Sequence, residues 1–169
     1  MDPAYIKFED VTKSFGTVPV VSATNLSVTR YSFVVFLGPS GCGKTTTLRM
    51  IAGLEEPTEG SIKFGGQSLS GVRIQDRNIG FVFQNYAIFT HLSVWKNLAY
   101  GLEVKKVPAY EIDHRVKAMA QRMSLTHRLE QPASKLSVNE LQKLAIGRSA
   151  IVEPRIFLLD EPLSNLDAG

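Results

Sequence analysis

Apolar positions along the chain follow two periods, and the change from one to the other divides it. Ile6, Phe8 and Val11, set in a polar stretch, predict a first strand, and Leu26 to Val28 predict part of a second. Phe33 to Leu37 is apolar at every position and stops at Gly38-Pro39. A short run of that kind predicts a strand buried on both faces, as in a parallel sheet. Lys44 to Leu54 has helical composition and stops at Gly53 and Pro57. Ser61 to Phe64, Ile79 to Phe83 and Ile156 to Leu159 predict further short strands. Between Gln84 and Pro154 the period becomes helical, with Glu111-Ile112, Val116, Met119-Ala120 and Met123 on one face. Leu141, Leu144-Ala145 and Arg148-Ser149 repeat the pattern. The layout predicts an α/β core interrupted by a helical subdomain.

Composition narrows the class. The chain has 169 residues, 44% of them hydrophobic and 21% charged, which is globular and excludes disorder or a disulfide scaffold. One cysteine forms no internal disulfide, so nothing points to an oxidising compartment. The five-residue run at Phe33 falls far short of the roughly 20 residues that span a bilayer. Asp2, Lys7, Glu9, Asp10 and Lys13 leave no room for a signal-peptide core. A net charge of +3 without a basic cluster gives no reason to expect nucleic acid as partner. Length and composition together predict one soluble, intracellular domain.

Two segments carry chemistry. Gly38-Pro39-Ser40-Gly41-Cys42-Gly43-Lys44-Thr45 fits G-x-x-x-x-G-K-[ST] between an apolar strand and a helix, the context that phosphate binding requires. Gly41 and Gly43 let the chain curl so that backbone N–H groups face phosphate oxygens. The start of the helix adds its positive dipole end. Lys44 is placed to bridge β- and γ-phosphates, and the Thr45 hydroxyl to ligate Mg²⁺. Cys42, inside this loop, reads as a small filler whose thiol sits close to a helix N-terminus. The second segment is Ile156 to Leu159, which ends in Asp160-Glu161-Pro162. Asp160 at the strand end suits Mg²⁺, usually through water. Glu161 suits the general base that polarises an attacking water.

With these motifs in place, nearly the whole chain resembles the ATP-binding subunits of ABC transporters, sugar-importer branch. The residues carrying the likeness are Gly38 to Leu54, Val82-Phe83-Gln84-Asn85-Tyr86-Ala87 and Asp160 to Asp167. The resemblance implies a P-loop NTPase (RecA-like) core with a mainly parallel sheet, an N-terminal antiparallel β portion and an inserted α-helical subdomain. It assigns residues 1–84 to the first part of the core, 85–153 to the helical subdomain and 154–169 to the acidic strand and the loop after it. ATP and Mg²⁺ are the implied cofactors. Ser40, Gly41, Cys42, Gly43, Lys44, Thr45 and Thr46 would hold the phosphates, and Phe15 would stack on adenine. Gln84 would touch Mg²⁺ and the attacking water, beside Thr45 and Asp160 as metal partners. Glu161, Gln84 and Lys44 would carry catalysis. Tyr86 to Tyr100 would line a groove for a permease helix, although Phe89, Leu92, Val94, Trp95 and Tyr100 read equally well as core. Ser164 to Asp167 would communicate across a homodimer. A solute-binding protein is an indirect partner, and the expected place is the cytoplasmic face of the membrane. His91, His114 and His127 lack ligand spacing and read as surface residues. Coiled-coil relatives with the same nucleotide motifs carry long heptad insertions, which the stretch from Gln84 to Leu136 lacks.

Three departures qualify the likeness. The family signature Leu-Ser-Gly-Gly-Gln reads Leu136-Ser137-Val138-Asn139-Glu140. Ser137 would contact nucleotide across the dimer, and Glu140 adds a carboxylate there; one like-charge pair at ~5 Å and an effective dielectric of ~20 costs on the order of 3 kcal/mol. In isolation Ser137-x-x-Glu140 predicts a capping box opening the helix at Leu141. Binding without efficient turnover is therefore the alternative function. Arg30-Tyr31-Ser32 stands where relatives commonly have a glycine turn, and Tyr31 predicts a rearranged turn if φ must be positive. Relatives also continue beyond Gly169 with a switch histidine, which predicts a core incomplete at its C-terminus.

Overall fold

In the computed structural model, residues 4–162 are described, and the chain divides into two compact units between Asn78 and Ile79. The first unit is an antiparallel sheet with one helix. β1 (Ile6–Phe15) pairs with β2 (Val18–Val28) and with β3 (Glu59–Phe64), and β4 (Gln67–Ser68) extends β3, giving the order β2-β1-β3-β4. Both predicted N-terminal strands are present but longer, because each continues through polar positions exposed on one face. Phe8, Val11 and Ile62 point inward and are buried with Met50 and Ile51 of α1 (Lys44–Ala52). Gly53 ends α1 in the left-handed region, φ 82, with Leu54 N–H returning to the Arg49 carbonyl at 2.9 Å. Arg77 completes that end from a distance, donating to the Met50 and Ile51 carbonyls at 3.1 Å each. The same guanidinium also reaches the carbonyls of Leu69 and Val72.

The second unit holds β5 (Ile79–Val82) and β6 (Ile156–Leu159), parallel and in register from Ile79↔Ile156 to Val82↔Leu159. Between them lie α2 (Val94–Val104), α3 (Ala109–Arg122) and α4 (Val138–Ala150). They enclose a core that includes Val94, Leu98, Leu102, Val116, Leu125 and Leu144. α2 has no counterpart among the predicted elements, because its first turn falls in the segment Tyr86 to Tyr100, which reads as a groove or as core. α4 opens at Val138, three residues before the predicted start, since the capping box belongs to the helix it begins.

Two expectations are corrected. Phe33 to Leu37 forms no strand and joins no ladder among the described residues, and Phe33 and Leu37 are 86% and 89% exposed. An apolar run reports the burial it suits, and the described residues supply no strand to cover it. The turn before it is not rearranged to relieve Tyr31: that residue adopts φ 59 and stands 99% exposed, so the side chain accepts the left-handed backbone.

Candidate functional site

The phosphate loop is shaped by glycine at both bends. Gly41 has φ 81, and Gly43 has φ 93 and caps α1 without any side-chain bond. A Cβ on Gly43 would lie 2.8 Å from the Val20 carbonyl of β2, so both backbone angle and clearance exclude a side chain there. Lys44 folds across the loop, donating to the Gly38 carbonyl at 2.8 Å and the Pro39 carbonyl at 2.9 Å. Its third direction faces Cys42 Sγ at 3.8 Å. The ammonium is thus held in the mouth of the loop, beside the start of a helix. Ser40 and Cys42 are exposed there, while Thr45 and Thr46 are half-buried in the first turn of α1. Phe15 ends β1 with 48% of its surface exposed, so it is not a buried strand-end aromatic. The Lys13 ammonium lies 4.7 Å from its ring centroid.

In the second unit, Gln84 and Glu161 come together. Gln84 follows β5, Glu161 follows β6, and the parallel register brings the two strand ends side by side. Gln84 Nε2 donates to Glu161 Oε2 at 3.0 Å. Asp160, one residue earlier, is only 5% exposed, and its N–H donates to the Val82 carbonyl at 3.0 Å. Past the end of the strand the two carboxylates part: Asp160 is buried, whereas Glu161, in left-handed backbone at φ 49, is exposed beside Gln84. Among the described residues no cluster of three or more His, Cys, Asp and Glu could hold a metal. Thr45 in the first unit and Asp160 in the second each offer a hard oxygen of the kind Mg²⁺ takes.

The signature segment is closed on itself. Ser137 Oγ accepts from Glu140 N–H, and the Glu140 carboxylate accepts from Ser137 N–H and Oγ–H, each at 2.8 Å. Arg128 Nε donates to the other oxygen of the same carboxylate at 2.9 Å. The Ser137 backbone N–H, then its hydroxyl, then Arg128 hold the Glu140 carboxyl at about 2. The predicted carboxylate is therefore present but arrives with its own guanidinium, which offsets the repulsion expected from an isolated charge. Of the groove residues, Val94 is core, whereas Phe89 and Tyr100 form a partly exposed edge-to-face pair with centroids 4.9 Å apart. His91, His114 and His127 are exposed. Ser164 to Asp167 lie outside the described residues.

Residues 21–164 match the family described as ABC transporter. The chain belongs to that family. It is 46% identical over 171 residues to the trehalose/maltose import ATP-binding protein MalK of Thermococcus litoralis, covering 98% of this chain and 46% of that protein. It is 47% identical over 166 residues to the maltose/maltodextrin import ATP-binding protein MalK of Yersinia pestis bv. Antiqua, covering 98% and 45%. The sn-glycerol-3-phosphate import ATP-binding protein UgpC of Bordetella parapertussis is 45% identical, with 98% and 46% covered. The chain thus spans under half the length of these relatives. Among solved structures, cbiO1 of Clostridium perfringens, part of the ABC transporter complex cbiONQ, superposes with a TM-score of 0.88 at 27% identity. That match covers 98% of this chain and 68% of the other. The ABC fold is thereby shown, with its antiparallel N-terminal sheet and parallel strands.

Several residues that organise this ABC chain stand outside any sequence motif. Asn97 is fully buried and pins the loop after Gln84: its Oδ1 accepts from Phe89 N–H at 3.0 Å. Its amide donates to the Phe89, Leu92 and Ser93 carbonyls. An asparagine among Val94, Leu98, Ala99 and Leu102 is the one signal that points to it. Gln142 and Arg148 on α4 bond to the Pro162 and Ala87 carbonyls, and Arg77 caps α1; none of these leaves a local motif.

Proposed function

We propose that this chain binds ATP with Mg²⁺ and is the ATP-hydrolysing subunit that energises carbohydrate import through an ABC permease. The phosphate loop carries the reading: two left-handed glycines, a helix N-terminus and a lysine held in the loop's mouth suit a polyphosphate and little else. Phe15 offers an open ring face for adenine, and the loop amides with Lys44 orient the phosphates. Thr45 in the first unit, and Gln84 and Asp160 in the second, are each residues that would hold Mg²⁺, which would supply neutralisation of phosphate charge. Glu161 accepts the proton of the attacking water at its carboxylate, and Gln84, bonded to that carboxylate, orients the water beside it. The relatives' printed names support import of a sugar or glycerol phosphate. A second copy of the subunit, a permease helix at Tyr86 to Tyr100 and an indirectly coupled solute-binding protein complete the assembly. No helix among the described residues is long and apolar enough to cross a membrane, which fits a peripheral place on the inner face.

A second reading has its own observation. Ser137 is engaged by Glu140 in a closed capping box, which favours nucleotide binding without efficient turnover. Nucleotide titration paired with steady-state phosphate release separates the two. Saturable ATP binding lost in Lys44→Ala, with multiple turnovers, supports the hydrolase. Binding without turnover supports the second reading, and replacing residues 138–140 by Gly, Gly and Gln should then raise release. Equal binding by the wild type and Lys44→Ala would sink both.

A further inference from the structure

We propose that α4 is a splint that sets Gln84 against Glu161, with Arg148 as its principal positioning residue; this rests on the reading of that pair as the chemical centre. The segment after Gln84 is a tight, strained turn. Tyr86 N–H donates to the Phe83 carbonyl at 2.9 Å and Ala87 N–H to the Asn85 carbonyl at 2.8 Å. Tyr86 and Ala87 have φ 64 and 47, two consecutive L residues in left-handed backbone. Such conformations persist only where the surroundings hold them.

α4 supplies the hold. The Arg148 guanidinium donates to the Ala87 carbonyl, the second strained residue. Its Cζ lies 4.2 Å from the Phe89 ring centroid and 5.9 Å from that of Tyr100. A planar fork that bonds a carbonyl while covering a ring fixes both position and rotation, which a lysine ammonium does not. The next residue, Ser149, donates its hydroxyl to the Phe81 carbonyl at 3.0 Å. The two side chains therefore grip the backbone three residues before and three residues after Gln84. Two turns earlier, on the same helical face as Ser149, buried Gln142 donates to the Pro162 carbonyl directly after Glu161. Three polar side chains of one helix thus bond to carbonyls flanking both members of the pair. No carboxylate among the described residues pairs with Arg148, so its charge serves the carbonyl and the rings. The helix that carries this splint opens at Val138, directly after its Ser137 cap.

The test uses the whole chain, labelled with ¹⁵N at the glutamine side-chain amide; the Gln84 resonance is assigned by its loss in Gln84→Asn. In the wild type that amide should show a bonded shift and slow exchange. Arg148→Ala should move it to the position of a free glutamine amide, with the Gln131 resonance unmoved, and Arg148→Lys should restore part of the shift. Ser149→Ala removes one hydroxyl and should move the resonance in the same direction, so the splint is tested even if Arg148→Ala does not fold. A Gln84 resonance unmoved in a folded Arg148→Ala, or in Ser149→Ala, overturns the splint. Phosphate release reads the chemistry separately: in a chain that turns over, kcat should fall with KM for ATP unchanged. A wild type without turnover defeats the hydrolase reading and leaves the resonance test of the splint intact.

Discussion

Replacing Glu140 by glutamine removes the charge from the start of α4 while keeping its shape. The carboxylate accepts from Ser137 N–H and Oγ–H at 2.8 Å and from Arg128 Nε at 2.9 Å. A glutamine amide oxygen can still accept from Ser137 and close the capping box, so the change removes only the part of these bonds that depends on charge. A hydrogen bond to a charged group is worth roughly 1.5–3 kcal/mol when shielded, and less at the partly exposed Arg128. The expected loss is therefore about 1–2 kcal/mol at pH 7, read by urea unfolding of both proteins. Its pH dependence is the sharper check. The carboxyl is lowered from 4.5 to about 2 in the folded chain, so its contribution is complete above 4.5 and disappears as pH falls from 4.5 towards 2. The gap between wild type and Glu140→Gln should be flat from pH 7 to the unfolded carboxyl's range and close below it. Glu9 is lowered to about 2 as well, by Lys63, Lys7 and Ser61, but it is common to both proteins and cancels in the difference. Glu140→Gln combined with Arg128→Met should cost less than the sum of the two single changes. A gap of equal size at pH 7 and pH 3 would refute the reasoning.

Gly43→Ala forces a side chain into φ 93 and against the Val20 carbonyl at 2.8 Å, so it should cost at least the ~1–2 kcal/mol of a left-handed L residue and weaken ATP binding; calorimetry and nucleotide titration check both. Asn97→Ala leaves the Phe89 N–H without its partner and should destabilise the second unit by about 1–3 kcal/mol, seen as a lower unfolding midpoint by fluorescence of Trp95, the sole tryptophan. Alkylation of exposed Cys42 should block nucleotide binding, and ATP should slow the labelling; equal labelling rates with and without ATP would place the thiol outside the site.

What is legible in the sequence is local. The phosphate loop, the acidic strand Ile156–Leu159 and the Ser137–Glu140 box are each written in consecutive residues, because turn, strand end and helix cap are short-range geometry. The pairing of Gln84 with Glu161 is not, since it depends on the register of two strands far apart in the chain. Arg77, Gln142 and Arg148 are illegible for a related reason: each satisfies backbone carbonyls, and a carbonyl has no residue identity to read. Phe33 to Leu37 shows the opposite limit, where an apolar pattern states a preference for burial without naming the neighbour that provides it.

The long-range cap on α1 also sets an order of events during synthesis. α1 is nine residues long, has no side-chain N-cap and lies below the ~12–15 residues at which even good helix formers hold together alone in water. Its last carbonyls are met by Arg77, which leaves the ribosome only after β3 and β4 have emerged. The nascent phosphate loop is therefore expected to order late within its own unit, once the chain has returned across the sheet and brought its arginine to the end of the helix that frames it.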